Sequence, residues 1–182
     1  MIVPVALAGL VAACAPRVGP VTMSAVIAYE SAGRPYAIGD NTEHRSYFPS
    51  NASAAEALAR RLLAAGHNID VGYAQLNSAN FARFGLGAAS AFDPCTNIAA
   101  GARILRDAYA GAARTYGPGQ VALVHALSAY NTGGYWAGLG YARGVYATAA
   151  TLRYAPAVPE LPTHGMRAVS FRHVARYVGD AR

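Results

Sequence analysis

Residues 20–34 read PVTMSAVIAYESAGR and place a single carboxylate near the end of an otherwise apolar segment. Read as a helix, Met23, Val26 and Ile27 fall at positions i, i+3 and i+4, and Glu30 falls at i+7. The only acidic side chain of the segment therefore lies on the stripe that faces the core. Burial raises the pKa of a carboxyl group, and the negative end of the helix dipole acts in the same direction.

A carboxyl group that stays partly protonated near neutral pH has the property that a general acid requires. Glu30 is therefore the candidate catalytic residue. Gly33 is a predicted left-handed C-cap and Pro35 a predicted stop signal, so Glu30 occupies the last turn. The alternative is a frayed helix end with Glu30 pointing into solvent, and the segment alone leaves both interpretations open.

The composition indicates one compact domain with additional segments. The chain has 182 residues, of which 54% are hydrophobic and 13% are charged, and this balance argues against general disorder. The net charge of +6 comes from arginine alone, since the sequence contains no lysine. The arginines are scattered and form no basic run, so nucleic acid is not a predicted partner. Positive charge also suits other polyanions, such as a bacterial cell wall or a membrane surface.

The two cysteines and the apolar start of the chain each leave alternatives. Cys14 and Cys95 form no CxxC pair, and a disulfide competes with two unrelated buried thiols. Residues 1–13 are apolar but too few for a membrane-spanning helix. They suit the end of a signal peptide, a lipoprotein cleavage box at Cys14, or a first core helix, and the core helix is favoured.

Most other local signals are helical. Ser53 and Glu56 form a predicted capping box, and Asp93 followed by proline predicts a second helix start. The segment NTEHRSYFPSN at 41–51 predicts a short hairpin or loop. The predicted organisation is a leader or core helix at 1–13, a domain at 14–150, and a Pro-rich linker with a tail at 151–182.

Standard cofactor and metal motifs are absent from the sequence. The five histidines lack the HExxH spacing of zinc sites, so no metal site is predicted. No Walker loop, GxSxG motif or complete dinucleotide-binding pattern occurs, and no cofactor is predicted.

Five segments occur in an order that identifies a family. They read CAPRVGP at 14–20, ESAGRPYAIG at 30–39, NIDVGYAQLN at 68–77, AFDPCTNIAAGARIL at 91–105 and ALSAYNTG at 126–133. In this order they resemble the lysozyme-like lytic transglycosylases, and especially the subgroup associated with type IV secretion and conjugation systems. Beyond about residue 135 the resemblance fades.

The resemblance implies a mainly α, lysozyme-like fold with a small hairpin or loop insertion, and it places Glu30 at the floor of a sugar-binding cleft. It implies an exported, periplasmic bacterial protein that acts as a monomer on peptidoglycan glycan strands, with secretion-system components as further partners. It also favours a Cys14–Cys95 disulfide, since these cysteines recur together in the subgroup, and this weighs against a lipidated Cys14.

The resemblance further implies that Ser31 helps to hold the substrate or the acid, and that Gln75 and Asn77 shape a subsite floor. The family's glutamine turn usually begins Gly-Leu-Met-Gln or Gly-Leu-Gly-Gln, whereas this chain has tyrosine at its second position. Tyr73 therefore either stacks on a sugar ring or fills core, and core is favoured. A purely structural turn role is the alternative for Asn77.

The last of these segments supplies two more expected site residues. Tyr130 is expected to hydrogen-bond near Glu30, and Asn131 is expected to fix the turn that presents Tyr130. The alternative for Asn131 is again a structural role only.

The number of carboxyl groups separates two reaction classes. A glycoside hydrolase needs two, and the matched segments offer Glu30 alone, because Asp40, Glu43 and Asp70 lie in predicted loops and caps. Lytic transglycosylases, by resemblance, use the substrate's own C6 hydroxyl and leave a 1,6-anhydro product. The alternatives are a goose-type muramidase, which uses water and a second acidic group, and a wall-binding assembly factor without turnover.

Overall fold

The computed structural model describes residues 2–154, which form a mainly α domain with a small antiparallel sheet. The helices of this range are α1 (Val5–Cys14), α2 (Pro20–Ser31), α3 (Ala52–Ala64), α4 (Phe81–Phe84), α5 (Pro94–Tyr116), α6 (Gln120–Thr132) and α7 (Leu139–Thr151), with 3-10 turns at Ser78–Asn80 and Ser90–Phe92. The strands are β1 (Ile2–Val3), β2 (Ile38–Asp40), β3 (Arg45–Tyr47), β4 (Ile69–Val71), β5 (Leu76–Asn77) and β6 (Arg153–Tyr154). None of the helices in this range combines the length and the apolar character needed to cross a membrane. The predicted mainly α fold is confirmed.

Helix α5 begins where the sequence predicts. Asp93 caps it by accepting a hydrogen bond from the amide of Thr96 at 2.8 Å, and Pro94 occupies the first turn. The helix ends at Tyr116, directly before Gly117.

The predicted capping box of α3 is wrong. The helix begins at Ala52, and Asn51 is its cap, with Oδ1 accepting from the amide of Ala54 at 2.9 Å. Asn51 has the extended backbone that an N-cap needs, so Ser53 already lies inside the first turn. Glu56 instead bonds to the guanidinium of Arg60 one turn later.

Helix α2 ends close to the predicted position. Its last residue is Ser31, so Glu30 does lie in the last turn. The left-handed C-cap is Ala32, with φ of 52°, and Gly33 follows in the same region at 73°. The predicted cap was therefore one residue late, and an alanine adopts a conformation that usually favours glycine.

The main core lies between α1, α2, α5, α6 and α7. Met23, Val26 and Ile27 of α2 are fully buried in it, as their spacing predicts. The structure joins Cys14 at the end of α1 to Cys95 at the start of α5 by a disulfide. Strands β1 and β6 pair in parallel, which brings the two ends of the described chain together.

The antiparallel sheet has the strand order β3-β2-β4-β5. The hairpin or loop predicted at 41–51 contains only the turn and second strand of a hairpin that begins earlier, with β2 at Ile38–Asp40 and β3 at Arg45–Tyr47. Strands β4 and β5 were not predicted. Ile38, Val71 and Leu76 are cross-strand neighbours whose side chains are buried in a second, smaller core. The adjacent register row contains Gly39, Asp70 and Asn77, and because side chains alternate along strands, this row faces the other way.

The structure does not test the predicted boundaries of the domain. The Pro-rich linker beyond residue 154 and the segment SFRHVARYV at 170–178 lie outside the described residues. The boundaries at 14–150 and 151–182 stay predictions.

Candidate active site

A cleft of about 530 Å³ lies between the helices and the sheet. We call its two sides the helical wall, which carries Glu30 and Tyr130, and the sheet wall, which carries Asp70 and Asn77. The polar residues that line the cleft are Glu30, Asn41, Asn68, Asp70, Gln75, Asn77, Asn80, Tyr130 and Asn131.

Glu30 lies largely buried at the end of α2, and Tyr141 donates a hydrogen bond to its Oε1 at 2.6 Å. Burial raises the pKa of Glu30 to about 7; the bond from Tyr141 opposes this, and the negative charge of Asp70 adds to it. The carboxyl group is therefore partly protonated at neutral pH. The burial and the raised pKa expected from the sequence are confirmed.

Tyr141, on α7, is the partner of Glu30 that sequence reasoning missed. Its ring meets Tyr29 edge-on, with centroids 5.2 Å apart, and lies roughly parallel to Tyr130 at 6.3 Å. Gly144 makes room for this arrangement, because a Cβ there would lie 2.4 Å from the Tyr29 ring. Burial and the charge of Glu30 raise the pKa of Tyr141, so its hydroxyl remains a proton donor.

Tyr130, expected to hydrogen-bond near Glu30, bonds to a backbone carbonyl and not to the glutamate itself. Its hydroxyl donates to the carbonyl of Ala74 at 2.7 Å and lies beside Gly101 of α5, where a Cβ would come within 3.0 Å of the hydroxyl oxygen. Tyr130 lies close enough to Glu30 for the glutamate's charge to raise its pKa, after the larger effect of burial. Tyr130 thus holds the glutamine turn, and Tyr141 holds Glu30.

The glutamine turn, residues 72–75, is fixed from α5 by Asn97. This buried amide donates to the carbonyl of Val71 at 2.9 Å and accepts from the amide of Ala74 at 2.8 Å. Gly72 has φ of 77°, and a Cβ there would lie 2.4 Å from Asn97 Nδ2, so glycine is required on both counts. Asn97 lies in the matched segment 91–105, but no role was predicted for it.

Ser31 lies behind this turn, and Tyr73 is the turn's second residue. The buried hydroxyl of Ser31 bonds to the carbonyl of Tyr73 at 2.9 Å and to that of Ile27 at 3.1 Å. The ring of Tyr73 packs against the main core. Neither residue lines the cleft, and these contacts favour the core interpretation for Tyr73.

Gln75 lies at the end of the turn and lines the cleft. Its φ is 45°, which is unusual for a residue other than glycine. Its side-chain amide donates to the carbonyls of Gly72 at 2.9 Å and Ala37 at 3.2 Å. The turn therefore fixes the position of this side chain in the cleft.

The sheet wall holds its carboxylate with amides. Asn41 donates to Asp70 Oδ2 at 2.7 Å, and Asn77 donates to Oδ1 at 2.8 Å. Both amides also donate to the Asn68 side chain, at 2.9 and 2.7 Å. Burial raises the pKa of Asp70, and the two amide donors oppose this rise.

Asp40 and Glu43, the other carboxylates considered for a second acidic group, lie away from the cleft lining. Asp40 is buried and accepts from His67 Nδ1 at 2.8 Å and from the amide of Thr42 at 3.0 Å. Burial opposes ionisation of Asp40, but these bonds and one from the amide of Glu43 outweigh it and lower the pKa. Asp40 thus ties the β2–β3 turn to the segment before β4.

Asn131 does not fix the turn after α6. Its side chain lines the cleft and makes no hydrogen bond within residues 2–154. Ser128 holds the turn instead: its Oγ donates to the carbonyl of Gly134 at 2.7 Å and accepts from the amide of Gly138 at 2.9 Å. Asn131 at the helix end is exposed, whereas Ser128 is buried beneath the turn.

Metal ligands do not cluster in the described part of the chain. Residues 2–154 contain no group of three or more histidine, cysteine, aspartate or glutamate side chains arranged to hold an ion. The site as described offers a protonated carboxyl group, a fixed carboxylate and amide donors.

A helical domain with a small sheet, and a cleft that holds a buried glutamate between them, defines the lysozyme-like class of folds. Residues 10–137 match the family model described as "Transglycosylase SLT domain". The chain therefore belongs to the SLT transglycosylase domain family.

Three proteins of other bacteria are similar to this chain. "Protein virB1" of Rhizobium radiobacter is 38% identical over 158 residues, which cover 86% of this chain and 65% of that protein. "Protein virB1" of Agrobacterium fabrum is 39% identical over 141 residues, covering 76% of this chain and 57% of that protein. "Type IV secretion system protein virB1" of Brucella abortus is 40% identical over 126 residues, covering 69% and 53%.

The chain thus spans less than two thirds of the length of these curated relatives. It matches no solved structure at a significant level.

Proposed function

We propose that this chain is a peptidoglycan lytic transglycosylase, which cleaves the β-1,4 bond between N-acetylmuramic acid and N-acetylglucosamine and leaves 1,6-anhydro-muramic acid ends. The observation that carries this proposal is the position of Glu30, largely buried and held by Tyr141, in a cleft lined by amides. Burial there raises its pKa to about 7. Membership of the SLT transglycosylase domain family supports the proposal.

Glu30 acts first as the general acid. It donates its proton to the bridging oxygen, and the bond from that oxygen to C1 of the muramic acid breaks as positive charge develops at C1. The pKa of about 7 leaves a useful fraction of Glu30 protonated at neutral pH. The hydrogen bond from Tyr141 holds the carboxyl group in one orientation.

Glu30 acts next as the general base. Its carboxylate takes the proton of the muramic acid C6 hydroxyl as that oxygen bonds to C1, which closes the anhydro ring and returns Glu30 to its protonated state. No water is consumed. An attached nucleophile in good alignment removes up to roughly 7–11 kcal/mol of the barrier, which can replace a second carboxylate and an activated water.

We propose that Gln75, Asn77, Tyr130 and Asn131, which line the cleft, form the surface that receives the sugars. Ser31 then contributes by supporting the glutamine turn from behind, and Tyr73 by packing the turn against the main core.

Two other functions make different demands on the cleft. A goose-type muramidase would need a second acidic group near the sugar, and the position of Asp70 in the cleft is the observation that favours it. A wall-binding assembly factor without turnover would need no protonated carboxyl group, so the environment of Glu30 argues against it.

We further propose that the protein is exported to the periplasm and opens the cell wall locally for a type IV secretion or conjugation apparatus, as a monomer. The support is the similarity to the Brucella abortus relative, which is named as a type IV secretion system protein, and the disulfide, which suits an oxidising compartment. The catalytic unit is proposed to span 14–150, with an apolar leader or first core helix at 1–13 and a tail at 151–182.

Digestion of purified peptidoglycan in ¹⁸O-water, followed by mass spectrometry, tests this function. We expect muropeptides that end in 1,6-anhydro-muramic acid, lighter by one water than lysozyme products and free of heavy oxygen. Reducing ends that carry ¹⁸O would show that water attacks C1 and would make the chain a muramidase. Binding without any product would support the assembly factor.

A further inference from the structure

Asp70 is a carboxylate in the cleft to which the mechanism above gives no task. It lies on β4, in the register row that contains Gly39 and Asn77. Gly39 presents no side chain beside it; a Cβ there would lie 3.8 Å from Asp70 Cβ and 3.2 Å from Gln75 Oε1. The neighbouring strand thus leaves Asp70 uncovered towards the cleft.

The charge of Asp70 is fixed in position. Each carboxylate oxygen accepts one amide, from Asn41 at 2.7 Å and from Asn77 at 2.8 Å. Asn68 accepts a second hydrogen from each of these amides and so holds both in place. A carboxylate has about four acceptor positions, so Asp70 keeps capacity to face a substrate.

The negative field of Asp70 extends across the cleft to the helical wall. Its charge is one cause of the raised pKa of Glu30 and of Tyr130, after burial in both cases. Two amides favour the carboxylate form of Asp70 against the effect of burial, whereas burial outweighs the one bond to Glu30 and raises its pKa to about 7. Such a difference in surroundings assigns acid and charge-stabilising roles to two carboxyl groups in glycan-cleaving sites.

Breaking the glycosidic bond produces the charge that such a group would stabilise. The transition state resembles an oxocarbenium ion, with positive charge shared by C1 and the ring oxygen. A preorganised negative charge in a partly desolvated site stabilises developing positive charge without reorganisation during the reaction.

We propose that Asp70 stabilises the positive charge that develops at C1 of the muramic acid, and that it does so without forming a bond to the sugar. The inference rests on the proposed transglycosylase function and adds a second carboxylate to it. Asp70 neither gains nor loses a proton. Glu30 supplies and recovers the single proton, and the C6 oxygen supplies the electron pair that bonds to C1.

Replacement of the charge by a group of the same shape tests this role. Asp70→Asn and Asp70→Ser are compared with wild type on soluble, uncrosslinked glycan strands, with Glu43→Gln as the control for loss of a carboxylate from the neighbouring hairpin outside the cleft. We expect both Asp70 variants to lower kcat by about 10²-fold, with a smaller change in KM. Glu43→Gln should match wild type.

The pH profile gives a readout that a purely structural role would not move. The charge of Asp70 favours the protonated form of Glu30, so its removal should shift the alkaline limb of kcat to lower pH. A variant that only loosens the sheet would lower the unfolding temperature and leave this limb in place.

Every outcome bears on the proposal. A kcat within a few-fold of wild type, or an unshifted limb, overturns the role of Asp70 while anhydro products still support the transglycosylase. Loss of the native circular dichroism spectrum in both variants makes Asp70 a structural residue and also overturns it. Labelled reducing ends in wild type that vanish in Asp70→Asn would mean that Asp70 serves water attack, and the proposed function itself would fail.

Discussion

The helical wall and the sheet wall of the cleft each bury a carboxyl group, but they surround it differently. Within the described chain, Glu30 receives one side-chain hydrogen bond, from Tyr141, among tyrosine rings. Asp70 receives two, from Asn41 and Asn77. Burial raises the pKa of both, to about 7 for Glu30, and the donors oppose the rise in each case. The two carboxyl groups therefore differ in how many side-chain hydrogen bonds favour the charged form, one for Glu30 and two for Asp70.

The largest expected effect is on activity, and it follows from replacing Glu30 in the helical wall. Glu30→Gln keeps the shape of the side chain and removes the transferable proton, so activity on peptidoglycan should fall by at least roughly 10²–10⁴-fold. Glu56→Gln, another helical glutamate far from the cleft lining, is the matched control. Activity of the Glu30 variant within a few-fold of wild type would contradict the assignment of the acid.

The same variant reports the cost of holding Glu30 in its site. Because its pKa is raised to about 7, wild type should lose stability as pH rises from the usual glutamate range through 7, where the buried group ionises. Glu30→Gln lacks this group. Its unfolding temperature should therefore equal or exceed that of wild type above pH 7, which also shows that lost activity is not lost folding.

The helical wall is backed by a covalent bond, the disulfide between α1 and α5, and the next prediction concerns that bond. The disulfide Cys14–Cys95 closes a loop with a sequence separation of 81 residues. In the chain-entropy model, its removal by Cys14→Ser with Cys95→Ser should lower the free energy of unfolding by about 4 kcal/mol. Urea unfolding measures this, and reduced wild type is the control. Two free thiols in protein recovered from the periplasm, or a lipidated Cys14, would contradict the bond.

A substitution with a smaller effect, at Tyr141, should change the pKa of Glu30 in the opposite direction to the loss of the Asp70 charge. The bond from Tyr141 stabilises the carboxylate form of Glu30. Tyr141→Phe should therefore raise the pKa of Glu30 and shift the alkaline limb of the pH profile upwards. Loss of one hydrogen bond that orients the acid should lower kcat by about tenfold.

Tyr146→Phe on the same helix is the matched control for the lost hydroxyl. That hydroxyl bonds to Gln120, and neither residue lines the cleft. Its removal should leave the pH profile unchanged. A downward shift of the limb in Tyr141→Phe would show that the bond favours the protonated acid instead.

How much the sequence predicts also differs between the walls. The helical wall follows from local signals: the spacing of Met23, Val26 and Ile27 places Glu30 on the buried face, and Asp93 caps α5. Helical periodicity is legible over a dozen residues. The resemblance to lytic transglycosylases then identifies which buried glutamate matters.

The sheet wall carries no comparable signal. Strand β4 has three residues and β5 has two, too few for alternation to be recognised. One of the two amides that bond to Asp70 belongs to Asn41, 29 residues earlier in the chain. Such a contact forms only when the tertiary structure brings the two segments together. Gln75 likewise has a left-handed backbone within the glutamine turn, where its side chain bonds to the carbonyl of Gly72.

Tyr141 was missed for the same reason. It lies 111 residues from Glu30 in sequence, in a glycine-containing helix with no local mark of a site. Tyr130, in the recognised Ala-Tyr-Asn segment, is the residue expected to hydrogen-bond near Glu30. Only the packing of α7 against α2 shows which of the two hydroxyls reaches the acid.

The smallest expected effect concerns the end of the helical wall. Asn131 lines the cleft there, and Ser128 holds the turn that Asn131 was expected to fix. Asn131 lines the cleft without a side-chain hydrogen bond in the described range, so Asn131→Ala should change the free energy of unfolding by no more than about 0.5 kcal/mol. Ser128→Ala is the comparison, and it should cost about 1–3 kcal/mol because it leaves the buried amide of Gly138 without its acceptor.

Because Asn131→Ala leaves the fold intact, its kinetics report only on contact with the glycan. A rise in KM on soluble glycan strands, at an unchanged unfolding midpoint, is expected if Asn131 binds a sugar. An unchanged KM would remove Asn131 from the proposed binding surface. A lowered midpoint would show instead that Asn131 supports the turn, and would transfer to it part of the structural role that the contacts assign to Ser128.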